Sequence, residues 1–159
     1  MHYDVIVNAE IKQDVFKPGN DTAAERFLST IFGSSTKVTS VGTLSSDKSG
    51  RITLKFKSAN DRDNEISFSK SEPHLISFRR GETTFQEPVT VFLEAGKRHR
   101  CISKAANGER VEFSTRTDLL ENRLLKSGKM NLEYSIEVCG VSVEHTSIKL
   151  SVIHDKSKE

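Results

Sequence analysis

Between Met130 and Val143 the chain changes character at every residue. Met130, Leu132, Tyr134, Ile136 and Val138 alternate with Asn131, Glu133, Ser135 and Glu137, and a Cys139-Gly140 pair leads into Val141 and Val143. Period-two alternation on both sides of a two-residue turn fits an antiparallel hairpin with one dry face, and no helix can bury such a pattern. The turn pairs Val138 with Val141, Ile136 with Val143 and Tyr134 with His145. Further on, the apolar set changes phase to Ile148, Leu150 and Val152, so a bulge is expected near Thr146.

The same short grammar recurs upstream. Tyr3, Val5, Val7, Ala9 and Ile11 line one face of a strand over residues 3–11, and residues 36–44 make a second. After the turn Asp47-Lys48-Ser49-Gly50, Ile52, Leu54 and Phe56 point inward, with Arg51 and the lysines outward. Ile66 and Phe68 mark a strand over 65–70. Pro73 ends it, and Ile76 and Phe78 mark the next over 74–79. Residues 89–113 read as three more strands joined by two tight turns. Two helical signals interrupt the series. Thr22-Ala23-Ala24-Glu25 has capping-box spacing ahead of a helix over 23–32, with Phe27, Leu28, Ile31 and Phe32 on one side and Gly33 as its stop. In the polar linker 118–129, the pairs Leu119-Leu120 and Leu124-Leu125 suggest a helical turn. About eight to ten short strands with one short inserted helix predict an all-β chain. The expected architecture is a single antiparallel up-and-down β-barrel over residues 1–154, with 155–159 as a frayed tail.

A length of 159 residues suits one domain. The 24 basic and 22 acidic residues nearly cancel, and Phe92 is the one aromatic near the basic strand, so nucleic acid is not an expected partner. No apolar run approaches the ~20 residues of a membrane span. The opening MHYDVIVNAEIK has no basic region followed by an apolar stretch, so a cytoplasmic location and reduced Cys101 and Cys139 are expected.

Several short motifs occur in an order that resembles the YwiB-like proteins. They are Val41-Gly42-Thr43-Leu44, then Ser49-Gly50-Arg51-Ile52 with its alternating strand, and Phe92-Leu93-Glu94-Ala95-Gly96-Lys97-Arg98-His99. The strand after Asn107-Gly108 that ends in Thr115-Arg116-Thr117 and the hairpin Leu132-Glu133-Tyr134-Ser135-Ile136 continue the match over residues 36–152. The resemblance implies a bacterial, calycin-like (lipocalin-like) β-barrel and carries no established biochemical function. The helix over 23–32 departs from it as an insertion. The Gly-x-Trp feature of true lipocalins is absent, since the chain has no tryptophan.

Nucleophile elbows, phosphate-binding glycine loops and His-Glu-x-x-His are all missing, and neither a cofactor nor a metal is expected. His99 and Cys101 share a strand face, but two ligands without a second pair do not make a zinc set. Tyr134 opposite His145 reads either as an acid–base pair in a lumen or as a buried polar pair that satisfies itself. The middle strand of residues 89–113 raises a sharper conflict. A two-residue Asn107-Gly108 turn pairs Ile102 with Phe113 and Lys104 with Val111, which puts Arg98, Arg100 and Lys104 on the apolar face. A dry core cannot hold unpaired arginines. Either a bulge turns them out to solvent, where Glu94 or Glu112 can pair with them, or they line a wet lumen that attracts a carboxylate or phosphate. The leading functional reading is therefore a non-enzymatic barrel that binds an anionic or amphipathic small molecule. Arg98, Arg100, Lys104, Tyr134 and His145 are its candidate ligand-binding residues. A homodimeric or partner-binding module is the second reading, and a lumen enzyme using Tyr134 and His145 is the third.

Overall fold

The structure, a computed structural model, describes residues 1–16, 30–58, 61–81, 89–104 and 108–156. Ten antiparallel strands follow one another: β1 His2–Phe16, β2 Thr30–Ser46, β3 Arg51–Lys57, β4 Asp63–Ser69, β5 Glu72–Arg80, β6 Val89–Glu94, β7 Arg98–Lys104, β8 Arg110–Arg123, β9 Lys129–Val138 and β10 Val141–His154. Each strand pairs with its sequence neighbours except across the β6–β7 hairpin, and β10 returns to pair with β1. The result is the expected up-and-down meander, curled so that the first and last strands zip together. Its open seam falls in the middle of the chain, between β6 and β7.

Side chains bridge that seam in place of a backbone ladder. The Thr115 hydroxyl on β8 donates to the Phe92 carbonyl at 2.8 Å, and the Thr117 hydroxyl accepts the Glu94 N–H at 3.2 Å. Near the turn the backbone itself takes over, with Gly96 N–H donating to the Thr117 carbonyl. Covering an edge in this way keeps its amides from offering a free pairing surface.

Alternation decides what fills the interior. Val5, Val7, Ala9, Ile52, Leu54, Phe56, Ile66, Phe68, Ile76 and Phe78 are all buried, as are Met130, Leu132, Ile136, Ile148 and Leu150. These are the inward faces that the period-two pattern assigns. Gly42 lies on β2 because a Cβ there would run into the Lys55 carbonyl oxygen and a Val7 methyl, so β2 approaches β3 more closely than a larger residue allows.

The helix over 23–32 is not found as expected. Thr30, Ile31 and Phe32 belong to β2, while residues 23–29 lie outside the described residues. The helix among the described residues is α1, Leu124–Ser127, one turn that buries Leu124 and ends at left-handed Gly128. It begins at the second leucine pair, Leu124-Leu125, whereas Leu119 and Leu120, placed by the sequence pattern in a polar linker over 118–129, belong to strand β8. Among the described residues no helix is long and apolar enough to cross a membrane.

Candidate functional site

The basic strand resolves outward. β7 and β8 pair Cys101 with Phe113, His99 with Thr115, Arg100 with Ser114 and Ile102 with Glu112. A two-residue turn at Asn107-Gly108 would instead pair Ile102 with Phe113. In the structure Lys104 faces Arg110 and residues 105–109 connect them. A slip of one residue sends every side chain to the other face. Cys101, Phe113 and Thr115 are therefore buried, while the Arg98 and Arg100 side chains are 63% and 78% exposed. Arg98 Nε donates to Glu137 Oε1 at 3.2 Å, and Arg100 Nη2 donates to Glu112 Oε2 at 3.0 Å. Neither arginine lines the lumen. The side chain of Lys104 lies outside the described part.

Tyr134 and His145 are separated as well. The register between β9 and β10 shifts between Ser142 and Glu144, ahead of the expected bulge near Thr146. Tyr134 consequently faces Thr146 and points inward, whereas His145 pairs with Ser135 on the outer face. There the His145 ring bridges Ser135 Oγ, 3.0 Å from Nδ1, and Glu133 Oε1, 3.0 Å from Nε2. Arg116 Nη2 donates to the same Ser135 oxygen at 3.4 Å. The order Ser–His–Glu is that of a hydrolase, but Ser135 is only 2% exposed, covered by the groups it bonds. The arrangement bridges strands β8, β9 and β10.

The interior charge comes from elsewhere. Arg80, the last residue of β5, and Glu144, near the start of β10, are both buried and meet with Arg80 Nη1 2.6 Å from Glu144 Oε2. β5 and β10 lie five strands apart in either direction around the barrel, so the pair forms a crossbar through the lumen. Glu144 also accepts hydrogen bonds from the Thr146 hydroxyl at 3.1 Å and from the Gln13 amide on β1. Beside them Tyr134 from β9 is completely buried, and its hydroxyl, although next to Arg80 and Thr146, makes no hydrogen bond of ordinary geometry. Burial pushes the Tyr134 phenol up to about 12. Neighbouring Arg80 and Thr146 draw it down and Glu144 draws it up. Burial opposes the Arg80 charge, but Tyr134 and Glu144 outweigh it and hold the guanidinium above its ordinary value.

Alternation marks each member of this cluster as inward, although not which strands bring them together. Arg80 continues the inward phase of Ile76 and Phe78, and Glu144 and Thr146 share the phase of Ile148 and Leu150. At the other end of the barrel Met1, Tyr3, Leu44, Ile52 and Leu125 enclose a small apolar pocket of about 100 Å³. No group of three or more His, Cys, Asp or Glu residues suited to a metal ion occurs among the described residues, and Cys101 and Cys139 are both free thiols.

No protein-family model and no curated protein matches the sequence. Among solved structures, the crystal structure of the YwiB protein from Bacillus subtilis superposes with a TM-score of 0.57 at 11% sequence identity, covering 93% of this chain and 92% of that one. The likeness extends over almost the whole barrel and agrees with the resemblance carried by the motifs. At that identity it establishes the shared fold.

Proposed function

We propose that this chain is a non-enzymatic barrel that holds a small anionic or acceptor-rich molecule beside the Arg80–Glu144 crossbar, with Arg80 and Tyr134 as its anchors. The observation that carries this reading is the fully buried Tyr134 hydroxyl, which lies beside Arg80 and Thr146 and makes no hydrogen bond of ordinary geometry. An unsatisfied buried hydroxyl costs about 1–3 kcal/mol, and a ligand atom can recover that loss. The balance of donors sets the ligand's chemistry. The Glu144 carboxylate is already met by three donors, from Arg80, Gln13 and Thr146. What remains unspent is on the donor side: the phenol O–H and the rest of a guanidinium that gives one hydrogen bond among the described residues. A carboxylate or phosphate oxygen accepts from such donors, and an ammonium group does not.

Thermal denaturation with hexanoate, hexyl phosphate and hexylammonium as probes tests the reading, alongside native mass spectrometry of protein purified without denaturation. The two anions should raise the melting temperature saturably, the ammonium should not, and Tyr134→Phe should weaken the response. If no retained mass is seen and neither anion shifts the transition, the reading is wrong. Equal responses to anion and ammonium would also refute it.

A further inference from the structure

A second feature lies on the outside of the barrel, across β2, β1, β10 and β9. The register sets Glu10 on β1 between Lys37 on β2 and Lys149 on β10, and sets Lys129 on β9 opposite Ser151. Lys37, Lys129 and Lys149 are all exposed, and they border one shallow basin of about 570 Å³. That volume is within the usual range for small-molecule sites, roughly 300–1,000 Å³.

The charge in this basin is unbalanced. Five cations elsewhere on the described surface close onto carboxylates: Arg98 onto Glu137, Arg100 onto Glu112, Arg116 onto Asp118, Lys57 onto Asp63 and Lys97 onto Glu94. The basin is lined by three lysines from three strands and by one carboxylate, Glu10, whose ion pair is with Lys12, at 3.8 Å. Lys37, Lys129 and Lys149 have no carboxylate within ion-pair distance among the described residues. The floor offers amide and hydroxyl groups. Asn8 takes the Thr39 hydroxyl on its Oδ1 at 2.7 Å, which leaves its amide hydrogens free of that bond.

We infer that this basin binds a short oligophosphate, with Lys37, Lys129 and Lys149 as its cationic contacts and the floor amides as additional donors. Lysine suits this task because its ammonium is a compact point charge on a flexible stem, able to follow phosphate oxygens that are not fixed in one plane. Glu10 works against the ligand and marks the sign of the effect. Removing it should tighten binding.

Isothermal titration with inorganic tripolyphosphate at low ionic strength tests the inference. The wild-type chain should bind saturably at one site. With each contact treated as a surface charge pair, K37Q/K129Q/K149Q should bind about 100-fold more weakly. E10Q should bind more tightly, and R98Q/R100Q, whose arginines lie outside the basin, should match the wild type. All of these positions are at the surface, and circular dichroism confirms that each variant is folded. The inference is overturned if the wild type shows no saturable binding, if the triple lysine variant keeps wild-type affinity, if E10Q does not bind more tightly, or if R98Q/R100Q loses as much as the lysine variant.

Discussion

The chain contains the same chemical pair, arginine with glutamate, in two settings, and stability measurements should separate them sharply. Arg80 and Glu144 have side-chain exposures of 8% and 0%, against 78% and 58% for Arg100 and Glu112. An exposed pair contributes at most about 1 kcal/mol, because water already solvates both partners and ordering two long side chains opposes the gain. Removing one partner of a buried pair strands the other charge in a medium that cannot solvate it, at about 3–5 kcal/mol. Glu144→Gln keeps the volume and removes the charge. It also forces an amide nitrogen toward one of the donors, Arg80, Gln13 or Thr146, that the carboxylate now accepts from. We expect about 3–5 kcal/mol of destabilisation, a large part of the roughly 5–15 kcal/mol a domain holds in reserve. Arg80→Met should cost about the same. The double variant Arg80→Met with Glu144→Leu should lose only about 1–2 kcal/mol, since no charge is stranded and the remaining loss is the hydrogen bonds of Gln13 and Thr146. Arg100→Ala should cost under about 1 kcal/mol. Urea unfolding followed by circular dichroism, with unchanged m-values, measures all four. The reasoning fails if the two buried single variants each lose less than the Arg100 variant, or if the double variant loses the sum of the singles.

Two further outcomes follow from the same geometry. The Tyr134 phenol is raised to about 12 in the folded chain, so the folded state holds that proton more tightly than the unfolded state does. Its contribution is complete below pH ~10 and is lost as pH rises toward 12, a decline of roughly 2–3 kcal/mol. Urea midpoints measured between pH 8 and 11.5 should fall more steeply for the wild type than for Tyr134→Phe, and parallel slopes would contradict the burial of this hydroxyl. Gly42→Ala should destabilise by about 1–3 kcal/mol, because the added methyl meets a backbone carbonyl and a buried valine that cannot both retreat. Thermal denaturation would show the loss, and a variant as stable as the wild type would mean that β2 and β3 are not held so closely.

Within single strands the sequence was a good guide. Ile52, Leu54 and Phe56, or Met130, Leu132 and Ile136, announce their buried face because alternate residues must lie on one side of a pleat. Between strands it was a poor one, since relative phase depends on the connection. Five residues join Lys104 to Arg110 where Asn107-Gly108 suggested a two-residue turn, and that one difference turned Arg98 and Arg100 from lumen to solvent. The bulge between Ser142 and Glu144 likewise sends His145 to the outer face, while Tyr134 stays inside. The interior cluster is hidden in the sequence for a related reason. Arg80 and Glu144 are 64 residues apart, and each looks like an ordinary solvated charge until its strand is laid on the opposite wall from its partner.

The crossbar is hard to explain by stability alone. A buried ion pair is commonly no better than a well-packed apolar pair of the same volume, and often worse by about 1–4 kcal/mol. Here residues from β1, β5, β9 and β10 are given over to it, at one end of a barrel whose buried cluster is mostly Ile, Leu, Phe and Val. Three of them donate to one carboxylate, while the fourth, Tyr134, brings a hydroxyl that makes no hydrogen bond of ordinary geometry. A cluster selected only to hold the walls together would gain by replacing that tyrosine with phenylalanine, which keeps the ring and removes the orphan. The hydroxyl instead stands beside a guanidinium with donors to spare, while the arginines of the basic strand are engaged at the surface. Spare donors, fixed in a dry interior by a saturated counter-charge, are the arrangement a bound anion requires. That is why the ligand reading rests on Arg80 and Tyr134.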